Sequence, residues 1–77
     1  MFVYDVKSGN VTDVSMCVML FRGGVSGHYN ITGIDNRGND HLVVDNIETV
    51  EKYHSIISEM LENLKLGIVA YTISEDI

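Results

Sequence analysis

Residues 49–66 read TVEKYHSIISEMLENLKL, with Gly67 directly after them. Val50, Tyr53, Ile56, Ile57, Met60, Leu61 and Leu64 recur at three- and four-residue steps, the broad apolar stripe of an amphipathic helix. Glu51, Lys52, Ser55, Ser58, Glu59, Glu62 and Asn63 fall on the opposite side. Thr49 is placed to cap the first turn through its side-chain oxygen. Glu48 and Glu51 lie near the positive end of the helix dipole, and Lys65 near its negative end. Gly67 can take the left-handed backbone that ends a helix. A helix of about 17 residues is about 25 Å long, enough to shield one side of a small sheet and not both.

The rest of the chain reads as strands. Phe2 to Val6 alternates, with Phe2, Tyr4 and Val6 on one side and Val3 and Asp5 on the other. Lys7–Asn10 is a turn in which Gly9 or Asn10 takes positive φ. Val11 to Phe21 reads as one long second strand, and His28 to Ile34 as a third, with Gly33 marking a bulge or a close approach. Residues 35–40 form a turn with Gly38 left-handed, His41 to Ile47 a fourth strand, and Ile68 to Ile73 a fifth. Ser74–Ile77 reads as a frayed acidic end. The expectation is one α+β domain spanning 1–77. A small antiparallel sheet of about five strands, in the order β-β-β-β-α-β, carries one amphipathic helix packed on one face.

The second strand makes that architecture incomplete. Val14, Met16, Val18 and Leu20 point to one side, Cys17, Met19 and Phe21 to the other, and both sets are apolar. One set packs under the helix, and the other lies on an open face. Burying Met19 and Phe21 is worth roughly 1.5–3 kcal/mol each. An exposed apolar patch of this kind marks an interaction site, so Cys17, Met19 and Phe21 are the expected interface, most simply of a homodimer.

Eleven carboxylates against five cations give a net charge of −6, which repels nucleic-acid backbones and anionic membranes on average. The apolar stretch Val14–Phe21 is far short of the ~20 residues of a membrane span. Met1–Asp5 lacks a basic region followed by an apolar block, so no secretory signal is expected. The two glycosylation sequons, at Asn10 and Asn30, then go unused. A single cysteine, Cys17, fits a reducing compartment and reads as a small hydrophobe rather than a nucleophile. The expected location is the cytoplasm.

Few residues suggest small-molecule chemistry. Arg22, Gly23, Gly24, Ser26 and His28 make a glycine-rich segment whose backbone N–H groups and guanidinium can meet an anion, though the spacing matches no nucleotide-binding fingerprint. His28, His41 and His54 are not at metal-ligand spacing, and Asp35, Asn36, Asn39 and Asp40 read as turn residues rather than a calcium loop. No nucleophile–base pair stands out, so neither catalysis, a metal nor a cofactor is expected. Glu48, Glu51, Glu59 and Glu62 form an acidic face suited to a partner with a basic surface. In composition alone, the short, acidic, proline-free chain resembles small accessory proteins of bacteriophages and mobile elements. The expected function is a non-enzymatic interaction protein that modulates another macromolecule. The alternative is a small-ligand binder holding a nucleotide-like or phosphorylated molecule at the glycine-rich segment or between subunits.

Overall fold

The computed structural model describes residues 1–74; the rest of the expected frayed end, residues 75–77, lies outside the described residues. The described residues form an α+β fold of six strands and one helix. The strands are β1 (Phe2–Asp5), β2 (Asn10–Asp13), β3 (Cys17–Val25), β4 (His28–Asp35), β5 (Asp40–Ile47) and β6 (Ala70–Ile73), with α1 (Val50–Lys65) before the last. They form two three-stranded sheets, ordered β2-β1-β6 and β3-β4-β5. All pairs are antiparallel except β1 with β6, which is parallel and needs the long crossover that the helix supplies.

The continuous four-strand meander expected between Phe2 and Ile47 is therefore split in two. The break falls inside the segment read as one strand, Val11 to Phe21. Asp13 caps a 3-10 turn at Val14–Met16 by accepting a hydrogen bond from the Ser15 amide at 3.0 Å, and the chain crosses to the second sheet there. A register shift between Cys17 and Met19 follows at once. An extra residue moves every later side chain to the other face. Cys17 thus shares the inner face with Leu20, both against Gly33, whereas Met19 and Phe21 pair with Ile34 and Thr32 on the outer face. The expected single set of Cys17, Met19 and Phe21 is parted for this reason.

The other corrections are local. Arg22 to Gly27 is not a loop: β3 runs on to Val25, and only Ser26 and Gly27 form the tip. Strand β5 carries two register shifts against β4. The one beside Leu42 lets the neighbours Val43 and Val44 both be buried, and the other holds Asn46 at φ 56°, a left-handed conformation rare outside glycine.

The helix forms as its sequence indicates. The Thr49 hydroxyl accepts from the Lys52 amide at 3.1 Å, and Gly67 ends the element at φ 72°. One core draws Val3, Tyr71 and Ile73 from the first sheet, Ile31, Val43, Val44 and Ile47 from the second, and Ile56 and Met60 from α1. Asp5 joins them at 2% exposure, while its neighbours Phe2 and Tyr4 face outward. The reason is hydrogen bonding: Asp5 Oδ2 accepts from the Asp45 amide at 3.0 Å and the Ser8 hydroxyl at 2.8 Å, tying β1 to β5 and to its own turn. The Tyr71 hydroxyl is buried with no hydrogen-bond partner among the described residues. Burial, with the Glu59 carboxylate close by, pushes its pKa up to about 12.

Candidate functional site

Helix α1 offers a wider apolar stripe than the sheets cover. Ile56 and Met60 reach the core, and Tyr53 and Ile57 are half-buried. Leu61 and Leu64 remain 52% and 40% exposed. The uncovered flank faces the start of β3, where Val18 and Met19 are 70% and 51% exposed. Between them runs an open groove lined mainly by Cys17, Val18, Met19, Ile57, Leu61 and Leu64, of about 380 Å³. Its lining carries no ionisable group except the Cys17 thiol and the Tyr53 phenol. Burial, then the charges of Asp35 and Asp13, push the thiol pKa upward. A protonated, half-buried thiol is a poor nucleophile, so the groove is suited to apolar contact rather than reaction.

The groove opens beside an unpaired strand edge. In the second sheet β4 is central, and β5 is met by β1, whose Asp5 carboxylate accepts from the Asp45 amide, and by β2, whose Thr12 hydroxyl lies 3.5 Å from the Leu42 carbonyl. Strand β3, the longest in the fold, has no strand paired with its outer edge among the described residues.

Charge follows the same division. All eleven carboxylates lie outside residues 14–34. The hairpin of β3 and β4 thus carries no acid before Asp35, and Arg22 is its only fixed cation. The Arg22 guanidinium lies 5.2 Å from the Tyr29 ring and 5.7 Å from the Tyr53 ring, a cation–π stack that turns the charge toward the helix side.

The glycine-rich candidates do not converge. Gly23 and Gly24 belong to β3 and pair with Asn30 and Tyr29. A side chain on Gly23 would strike Asn30 Oδ1, and one on Gly24 the His28 carbonyl, so these glycines serve close strand packing. Ser26 sits at the tip, and His28 Nδ1 lies 3.3 Å from Asn46 Oδ1. Arg22 is thus held on the two tyrosines while His28 opens onto a cleft of about 390 Å³ with Lys7, Ser8, Asp45 and Asn46. A neighbouring crevice at Asp5, Lys7 and Lys52 has about 20 Å³, room for one water.

The acidic candidates Glu48, Glu51, Glu59 and Glu62 are all exposed, and Glu48 lies 3.8 Å from Lys52. In the 35–40 turn, Asp35 accepts from His41 Nε2 at 2.9 Å and from the amides of Arg37 and Asn39 at 2.9 and 3.0 Å. These bonds, the His41 one first, bring its carboxyl down to about 2. Every acceptor is engaged locally, which marks Asp35 as a turn anchor. Among the described residues no three His, Cys, Asp or Glu side chains converge in a way that could hold a metal ion. Among the described residues no helix is long and apolar enough to cross a membrane.

Sequence reasoning placed Met19 and Cys17 on the candidate surface but missed Val18, Leu61 and Leu64. The signal was present in the helix, whose seven stripe positions are more than a single packing contact can cover. Compared with known protein families, curated proteins and solved structures, the chain shows no match to any.

Proposed function

We propose that this chain is a non-enzymatic interaction protein that associates with itself through its acid-free apolar side and modulates another macromolecule through its acidic remainder. The observation that carries the reading is the groove between α1 and β3, where Val18, Met19, Leu61 and Leu64 stay exposed on one apolar surface. A small monomer keeps such a continuous apolar surface when something covers it. The exposed carboxylates Glu51, Glu59 and Glu62 lie on the same helix as Leu61, so one element serves both surfaces. A partner with a basic surface would be steered toward these acids, with binding that weakens as salt rises. The chain's size and composition fit an accessory protein of a phage or mobile element acting in the cytoplasm of a host cell.

The test uses Leu61→Lys and Leu64→Lys, two exposed positions whose change leaves the core intact. Wild-type protein is expected to self-associate, and the double variant to stay folded by circular dichroism while losing that association. Unchanged monomeric behaviour of the wild type at millimolar concentration overturns the reading.

The alternative, a small-ligand binder, retains one supporting observation: His28, Lys7 and Ser8 face one cleft. An anion there would not engage Arg22. A thermal-shift screen with nucleotides, in which a ligand of the folded state raises Tm, separates the two readings.

A further inference from the structure

We infer that a second copy of this chain pairs with the outer edge of β3, antiparallel about Phe21, joining two three-stranded sheets into one continuous sheet. The inference rests on the self-association reading above and adds to it the strand, the orientation and the register. Four observations select a copy of the chain rather than another occupant.

The edge is first of all lightly defended. Natural sheets guard their free edges with proline, lysine, inward charges, β-bulges or very short strands; of these β3 has the register shift at its start and Arg22 on its inner face. Strand β3, Cys-Val-Met-Leu-Phe-Arg-Gly-Gly-Val, has none of the first two, is the longest strand present, and has its single charge held on Tyr29 and Tyr53. Its one irregularity at the start is the shift between Cys17 and Met19, and Gly24 at φ 85° interrupts it near the end. Met19 to Gly23 between them is regular strand.

That regular stretch is self-complementary. Antiparallel pairing centred on Phe21 sets Phe21 against its twin and Met19 against the partner's Gly23, the largest unbranched side chain opposite the absent one. On the inner face Leu20 meets the aliphatic stem of the partner's Arg22, whose guanidinium is directed back onto its own tyrosines. Any other register breaks the match of Met19 with Gly23.

Charge selects the same contact. Two chains of net charge −6 repel one another over most of their surfaces. Residues 14–34 contain no carboxylate and the hairpin's one acid, Asp35, lies at its base opposite Cys17, so the stretch from Met19 to Gly23 is where two copies meet with little repulsion. A basic partner, by contrast, gains nothing from an acid-free edge and is drawn to the other side of the molecule.

The groove completes the argument. It is lined by residues 17–20 of the same strand, so a partner strand laid along β3 closes its open side over Val18, Leu61 and Leu64. A two-fold axis through Phe21 makes the contact isologous, which limits assembly to a dimer and prevents growth into filaments.

Sedimentation velocity over a wide concentration range, joined to a cysteine cross-link, tests this. The wild type is expected to run at twice 8.6 kDa. Val18→Lys with Met19→Lys, both at exposed positions, is expected to hold the particle at 8.6 kDa with an unchanged circular dichroism spectrum. Phe21→Cys in a Cys17→Ser background is expected to form an interchain disulfide under mild oxidation, and Val11→Cys in the same background to form none. A wild type that is monomeric throughout overturns both this pairing and self-association. A dimer that survives the two lysines and fails to cross-link at position 21 overturns the β3 pairing alone and leaves self-association standing through another surface.

Discussion

Asp35 takes three hydrogen bonds on one carboxylate, and that concentration of donors has a pH signature. Its folded pKa of about 2 lies below the ordinary value of 3.8. A group with a depressed folded pKa contributes stability that is complete above the unfolded value and is lost as pH falls through the folded one. The window here is from 3.8 down to about 2. Urea midpoints of wild type and Asp35→Asn are therefore expected to differ above pH 4 and to converge toward pH 2; a constant gap across that range would show that the carboxylate charge is immaterial. Asp35 was legible in the sequence as a turn residue, because Asp followed by Asn, Gly and Asn has few other uses. Asp5 was not. Its burial depends on the Asp45 amide, forty positions away in the chain, and no local pattern reports such a partner.

At the scale of elements, the helix was readable to its ends because its stripe, its cap and its terminating glycine agree with one another. Strand β3 was half readable. Hydropathy found an apolar segment, but alternation could not show that a 3-10 turn and a register shift reverse the phase at Cys17, because both depend on one Asp13 cap and on pairing with β4. Gly33 illustrates what that phase change demands. It lies opposite Leu20, and an added methyl would come within 2.5 Å of Cys17 Sγ and 3.1 Å of Leu20 Cδ2. Gly33→Ala is expected to lower stability by about 1–3 kcal/mol through overpacking. Pairing it with Cys17→Ala should recover part of that loss, since the nearest obstacle is the sulfur. Equal midpoints for wild type and Gly33→Ala in chemical denaturation would show that the two side chains move aside freely. The parallel partner of β1 also escaped the sequence reading, since β6 follows the helix and could join either sheet edge by hydropathy alone.

For the molecule as a whole, the decisive quantity is how much apolar surface a chain of 77 residues can enclose. Domains of this size bury a smaller fraction of their surface than larger ones and are correspondingly marginal. Among the described residues ten apolar side chains form the core, while Phe2, Tyr4, Val18, Met19, Leu61 and Leu64 remain at the surface. Association that is linked to folding makes the apparent melting point depend on concentration. Tm is expected to rise steadily between micromolar and millimolar protein, and to become independent of concentration in the Val18→Lys, Met19→Lys variant. A wild-type Tm that does not move over that range would place the whole stability within one chain.

The central position of β1 has a consequence for synthesis. This early strand lies between β2 and β6, and the second neighbour is formed by residues 70–73. On the ribosome, the hairpin of β1 and β2 must therefore wait, one edge bare, until residues 70–73 have emerged. Folding of the first sheet is in that sense a late event, and the nascent chain depends on the slower, long-range closure that makes young polypeptides vulnerable to aggregation.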